Sequence, residues 1–274
     1  MQELIEKSLL EDLGDGDITS ESTIDENQLA TFNLIAKEDF ILCGLKLFID
    51  TFNQVDDSVK LTVNYQDGSQ IKNKDIILSG TGNARSILKA ERVALNLLQY
   101  LSGIATRTAS YVKLCEGTNI KILDTRKTVP LYRKLAKYAV KIGGGKNHRM
   151  GLYDEILIKD NHIQAAGSVA KAIQRAKVYN KNKKIEIECE TLVQVSEALE
   201  EKADIIMLDN MDVETISKAI IIINDKAKIE VSGNMNKNKI SKLTKFKIDY
   251  ISLGDITYNN SFSDISLKII ITNN

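Results

Sequence analysis

The chain has 274 residues, 43% hydrophobic and 27% charged, ordinary globular values that exclude long disorder and a disulfide-built miniprotein. Lys and Arg total 37 and Asp and Glu total 37, so no global field draws in nucleic acid or an anionic membrane, and any anion site must be local. Pro130 stands alone where ordinary usage would give roughly 14 prolines.

The N-terminus is acidic from Glu3 onward and has no apolar run of signal-peptide length. The longest apolar stretch, residues 219–223, is far too short to cross a bilayer. The expectation is a soluble, cytoplasmic protein. Cys43, Cys115 and Cys189 lack C-x-x-C spacing and a neighbouring histidine, so they read as buried structural thiols rather than a disulfide framework or zinc site.

In chain order, residues 3–13 read as an amphipathic helix (Leu4, Ile5, Leu9, Leu10, Leu13) closed by Gly14. The acidic DLGDGDITSES run lacks the glycine and final glutamate of a calcium loop and reads as helix-end and turn chemistry. Residues 30–81 mix short β-rich runs with turn signals around one helical stretch near 45–54, a small α+β unit. From Asn83 a long helical pattern links the two parts, with a break expected at Ser102-Gly103. Gly80 and Gly82 lack the third glycine of a dinucleotide fingerprint, because Arg85 occupies its place.

Beyond residue 119, apolar strands at 121–124, 155–159, 184–190, 204–209, 228–233 and 249–255 alternate with helical segments, the mark of a parallel sheet. Each ends in charged or small residues: Asp124 with Thr125, Arg126 and Lys127, then Lys159, Glu188 with Glu190, Asp209, Ser232 with Gly233 and Asn234, and Ser252 with Leu253 and Gly254. In a barrel these ends share one face, where the active site forms. An open doubly wound sheet makes a similar crevice, but the missing glycine-rich first turn favours the barrel.

From Arg126 to Arg149 the chain carries eight basic residues and no acid. Lys134, Lys137 and Lys141 read as a solvated helix face. Arg126, Lys127, Arg149 and Lys159 flank strand ends or the Gly143-Gly144-Gly145 turn and read as ligands for phosphate or carboxylate. In KIEIECE the two-residue period puts Glu186, Glu188 and Glu190 on one face, pointing inward. Buried carboxylates need a cation or a metal, so Glu188 and Asp209 are read as contacts to ligand, ribose or magnesium, or else as salt bridges holding the lysines. A pocket with several cations, two or three carboxylates and small-residue loops suits a polyanionic substrate that carries a sugar, a phosphosugar, with phosphate at the loops after the last two strands.

At these residues the chain resembles the quinolinate phosphoribosyltransferase family, also called nicotinate-nucleotide pyrophosphorylase (carboxylating). The resemblance rests on DTRKTVP (124–130), GGGKNHRMGLYDEILIKDNHI (143–163), ERVALNLLQYLSGIATRT (91–108), IEIECE, IIMLDNM, VSGN and EDLGDGDITS (11–20). It implies an N-terminal open-faced α/β sandwich over residues 1–102, joined by the tail 262–274, and a C-terminal α/β barrel over 103–261. It also implies a homodimer with shared sites and a reaction in which quinolinate displaces pyrophosphate from phosphoribosyl pyrophosphate with magnesium and loses carbon dioxide.

By motif, Arg92 would reach the neighbouring subunit's quinolinate, Arg126 and Arg149 would clamp its carboxylates, and Thr125 and His148 would border it. Lys127 and Lys159 would bind phosphoryl groups and substrate. Glu188 and Asp209 would hold ribose hydroxyls or magnesium, with residues 232–234 and 252–254 on the 5′-phosphate. The family motif often continues T-T-P-G, whereas here Val129 and Leu131 flank Pro130. The alternatives are a sibling phosphoribosyltransferase acting on another pyridine, a Schiff-base lyase using Lys159, and a non-catalytic anion or RNA binder.

Overall fold

The computed structural model describes residues 1–271; the last three residues of the expected tail lie outside the described residues. The chain divides into two compact units, Met1–Arg107 with the chain from Asn260 onward, and Thr108–Asn259.

In the first unit, α1 (Gln2–Leu13) stops at Gly14, and α2 (Ile18–Thr23) is capped by Asp17, whose carboxylate accepts the Ser20 N–H at 3.0 Å. The acidic run is helix-end chemistry, as read. There follow β1 (Leu29–Ala36), β2 (Phe40–Ile41), α3 (Leu45–Val55), β3 (Lys60–Val63), β4 (Gln70–Ile71), β5 (Ile76–Asn83) and α4 (Ala84–Val112). The alternation of β1 buries Ala30, Phe32, Leu34 and Ala36 on one face. Phe32, Phe48 and Phe52 stack there, with ring centroids 5.3 and 4.9 Å apart, beside Ile87, Ala90 and Leu98 of α4.

Helix α4 runs unbroken through Ser102-Gly103, where the sequence predicted a break. Gly103 serves close approach instead: a Cβ there would lie 2.0 Å from the Ser261 carbonyl oxygen and 2.8 Å from Asn260 Nδ2. Ser102 Oγ accepts the Cys43 N–H at 3.0 Å, so both residues of the expected break are packing contacts within the helix.

The second unit contains β6 (Lys121–Leu123), α5 (Arg133–Ile142), β7 (Ile156–Ile158), α6 (Asp160–Ala166), α7 (Val169–Tyr179), β8 (Ile185–Cys189), α8 (Leu192–Glu200), β9 (Ile205–Asp209), α9 (Val213–Ile223), β10 (Lys228–Ser232), α10 (Lys237–Leu243), β11 (Tyr250–Ser252) and α11 (Asp255–Tyr258). The six strands form one parallel sheet in the order β6-β11-β10-β9-β8-β7. This is the cyclic order of a barrel, and among the described residues no ladder joins β6 to β7. A single bridge pairs Leu123 with Lys146 at the β6 edge. Ile185, Ile187, Cys189, Ile206, Leu208, Ile229 and Val231 are buried on one side of the sheet, and the helices contribute Val195, Ala198, Ile216 and Ala219 to the apolar core. Finally, β12 (Ile265–Ile271) joins the first unit's sheet antiparallel to β1, in the order β12-β1-β5-β3. No described helix is long and apolar enough to cross a membrane.

Alanine is the better helix former by about 1 kcal/mol, yet Gly103→Ala is expected to destabilise the protein by about 1–3 kcal/mol, because the new methyl overlaps backbone. Urea unfolding of the variant measures the sign.

Candidate active site

A cavity of about 740 Å³ lies in the second unit at the C-terminal ends of its strands. The residues assigned substrate contacts between Thr125 and Gly254 all line it: Thr125, Arg126 and Lys127 after β6, His148 and Arg149 before β7, Lys159 after β7, and Glu188, Asp209 and the 232–234 and 252–254 turns on the later strands. Arg92 does not line it and is exposed on α4. Glu190 does not point inward as predicted. Strand β8 ends at Cys189, where the capping box of α8 takes over, and the Glu190 N–H donates to Gln194 Oε1 at 2.8 Å with its side chain exposed.

The cavity also includes Leu157, Met207 and Glu230, which the sequence reading passed over. Each lies two residues before a predicted site residue (Lys159, Asp209, Ser232), so the period of two could have found them. Asn210, which follows Asp209 in the pair that closes β9, also lines it, and Met235, Asp255 and Tyr258 complete the lining with no comparable signal.

Charge is unevenly compensated. Lys159 Nζ donates to Glu188 Oε2 at 2.6 Å. Among the described residues the Nε atoms of Arg126 and Arg149 are buried without a hydrogen-bond partner, and Arg149 as a whole is only 6% exposed. Burial first, then the Arg126 guanidinium, lowers the pKa of Arg149, as two like charges in one wall would. Deeper in, burial and the charge of Glu186 push Glu230 up to about 8, against the pull of His148. For His148, burial opposes the charged form, but Glu186, Glu230 and Glu155 outweigh it and raise its pKa.

His148 Nε2 lies 3.1 Å from Glu186 Oε2, and its Nδ1 accepts the Arg149 N–H at 2.7 Å. When neutral, the ring is therefore held as the Nε2–H tautomer. His148, Glu155 and Glu186 bring ligand atoms within 4.8 Å of one another, yet both ring nitrogens are already engaged, so the trio does not present a free metal ligand set.

Lys137 is the main correction. Predicted on a solvated face, it is 1% exposed on α5, with its ammonium against Asp124 Oδ1 and donating to the His148 carbonyl oxygen at 3.0 Å. Asp124 is itself fully buried and also accepts from Asn147 Nδ2 at 2.6 Å and the His148 N–H at 2.9 Å. Burial works against both charges, raising the Asp124 carboxyl and lowering the Lys137 ammonium, while their contact works the other way. The glycine triplet is a second correction. It does not line the cavity; a Cβ on Gly145 would lie 2.8 Å from Thr108 Cγ2 and from Val140 Cγ1, so the turn packs the return from α5 toward β6.

Two loops after β9 and β10 are tied together. Asn210 Nδ2 donates to Asp209 Oδ2 at 2.5 Å, Asn234 Nδ2 to Asn210 Oδ1 at 3.2 Å, and the Asn210 N–H to the Ser232 carbonyl at 3.2 Å. Gly233 has φ +84°, and a Cβ there would lie 2.2 Å from Asn210 Oδ1. After β6, Leu131 has φ +67° and is 96% exposed. A left-handed backbone suits the glycine of the related motif, and leucine here bears strain of about 1–2 kcal/mol.

The thiols supply no nucleophile. Cys43, Cys115 and Cys189 are buried and outside the cavity, and burial, with Glu188 and Glu197, pushes Cys189 up to about 12.

Compared with known proteins, the chain matches the families described as quinolinate phosphoribosyl transferase, N-terminal domain, over residues 17–102 and C-terminal domain over residues 104–268. It is 44% identical to a protein of Methanocaldococcus jannaschii named "Probable nicotinate-nucleotide pyrophosphorylase (carboxylating)", over 97% of this chain and 96% of that one. It is 39% identical to quinolinate phosphoribosyltransferase (decarboxylating) 1b of Nicotiana tabacum, over 97% and 81%. The solved structure of the nicotinate-nucleotide pyrophosphorylase from Francisella tularensis superposes with a TM-score of 0.94 at 43% identity, over 98% of this chain and 95% of that one.

Gly233→Ala combines a strained φ with overlap on Asn210, and is expected to cost about 1–3 kcal/mol of stability. It should also weaken binding of inorganic phosphate, read by calorimetry.

Proposed function

The chain belongs to the quinolinate phosphoribosyltransferase family, and we propose that it transfers the phosphoribosyl group of phosphoribosyl pyrophosphate to quinolinate with decarboxylation. The products are nicotinate mononucleotide, pyrophosphate and carbon dioxide, a step in NAD biosynthesis. The observation that carries this reading is the pair of guanidinium groups, Arg126 and Arg149, whose buried Nε atoms lack partners in the same cavity as Glu188 and Asp209. Two forks suit a planar dicarboxylate, each able to take one carboxylate bidentately. A monocarboxylate pyridine would leave one of them unanswered, which favours quinolinate over the substrate of a sibling transferase. Lys159 Nζ is already engaged by the Glu188 carboxylate at 2.6 Å, a contact that the nucleophile of a Schiff-base lyase would have to give up.

In this reading Arg126 and Arg149 orient the pyridine ring, with Thr125 and His148 beside it. The ring nitrogen forms a bond to C1 of the ribose as the bond from C1 to the pyrophosphate oxygen breaks. The 2-carboxylate then leaves as carbon dioxide, and a proton takes its place on the ring carbon. Lys127 and Lys159 offset charge on the phosphoryl groups and substrate, and pre-placed charge lowers the barrier for an oxocarbenium-like transition state. The turns at 232–234 and 252–254 receive the 5′-phosphate. Glu188 and Asp209 supply hard carboxylate oxygens of the kind magnesium takes, and they would hold it alongside pyrophosphate oxygens or bind the ribose hydroxyls. When bound, magnesium would neutralise charge on the departing pyrophosphate. Three free thiols fit a reducing compartment, and we place the reaction in the cytoplasm.

The test supplies quinolinate, phosphoribosyl pyrophosphate and magnesium and follows carbon dioxide and nicotinate mononucleotide. Stoichiometric formation of both is expected, and an absence of product together with no quinolinate binding would overturn the assignment. Arg126→Lys, which keeps the charge but loses the fork, should lower kcat/KM by about 100-fold. The proposed homodimer shares its sites, with Arg92 reaching into the neighbour's cavity. Inactive Arg92→Ala and Arg126→Ala proteins, mixed to form heterodimers, should then regain part of the activity; no recovery would argue against sharing.

A further inference from the structure

We infer that the buried Asp124–Lys137 pair is a positioning device for the dicarboxylate clamp, acting through His148 and Arg149 rather than touching substrate. The inference rests on the function proposed above. Asp124 is the residue immediately after β6 and sits one position before the Thr125-Arg126-Lys127 set. Its two oxygens collect three donors: the Lys137 ammonium and the His148 N–H on Oδ1, and Asn147 Nδ2 on Oδ2. Lys137 closes the ring by donating to the His148 carbonyl oxygen at 3.0 Å, and Asn147 Nδ2 also donates to the Lys137 carbonyl at 2.8 Å. The Asp124 N–H donates to the Lys146 carbonyl at 3.2 Å.

Lys146 and His148 are therefore held through their backbone and Asn147 through its side-chain amide, and His148 with the next residue, Arg149, lines the cavity. The Arg149 N–H fixes the His148 ring by donating to Nδ1, and Arg149 Nη1 donates to the Glu155 carbonyl at 3.1 Å. Stability alone does not explain the pair. A buried ion pair is often no more stabilising than apolar residues of the same shape, whereas two charges that satisfy one another and a segment's backbone fix a single geometry. The apolar stripe of α5 offers Leu135, Ala136, Ala139 and Val140 for packing, so a lysine buried among them answers a need other than core filling.

The experiment uses the full-length protein with Lys137→Met, which breaks the pair, and Asp124→Asn combined with Lys137→Met, which removes both charges at nearly constant volume. The KM for quinolinate is expected to rise about tenfold or more in both, with the KM for phosphoribosyl pyrophosphate changing less than about threefold. The double variant should melt close to the wild type. If it melts there and keeps the wild-type quinolinate KM, or if both KM values rise in parallel, the positioning role is overturned. Should it fail to fold, Asn147→Ser, which leaves the ion pair in place, is read by the same two KM values. Wild-type turnover measured alongside separates this from the reaction assignment. If the wild type proves inactive, the ¹⁵N signals of His148 decide. A single Nε2–H tautomer in the wild type that becomes a mixture in the variants supports the device, and an unchanged tautomer overturns it.

Discussion

A β-strand turns its side chains alternately to two faces, and the site in the second unit depends on that period. Ile185 and Ile187 of β8, Ile206 and Leu208 of β9, and Ile229 and Val231 of β10 are buried on one side of the sheet. The intervening residues must then all face the other way. Glu188, Met207, Asp209, Glu230 and Ser232 reach the cavity for this reason, and none can be withdrawn without flipping a whole strand out of register with its helices. Because the strands are parallel, their last residues lie at one end, and acids and bases distant in sequence are forced together.

Such crowding sets its own electrostatic conditions. Carboxylates taken out of water need partners, and the structure supplies them unequally. Glu188 has Lys159, and Asp209 has the Asn210 amide. Glu230 has none of comparable quality and is pushed up to about 8 by its burial and by Glu186. On the other wall, Arg126 and Arg149 repel each other while their Nε atoms stay unpaired. The proposed dicarboxylate, placed between them, would offset both the repulsion and the cost of burial.

The loops show how local conformation serves this wall. Gly144, at φ +85°, turns the chain back from α5 toward β6, and Gly145 has no room for a side chain beside Thr108 and Val140. That return allows Asn147 and His148 to meet Asp124. The sole proline, Pro130, restricts the loop that follows Arg126 and Lys127, and the next residue, Leu131, occupies a left-handed conformation that glycine would take without strain.

The sequence alone carried the family resemblance, the strands of the second unit and the charged residues at their ends, because a two-residue period and a change of composition at each strand end are local properties. It also carried the helix-end chemistry of the acidic run at 12–22 and the buried thiols. It misplaced Lys137, since a lysine beside Arg133, Lys134 and Lys141 has the same local pattern on a wet face as in a buried pair. Only the fold decides that Asp124, 13 residues earlier, lies against it. It misread Ser102-Gly103, because a glycine that breaks a helix and one that admits a neighbouring backbone look alike until Ser261 is in place. It stopped short of Glu230, whose setting is made by His148 and the like-charged Glu186 from other elements. Periodicity and composition are written along the chain, whereas the pairing of charges and the room for a methyl group depend on residues that the tertiary structure alone brings together.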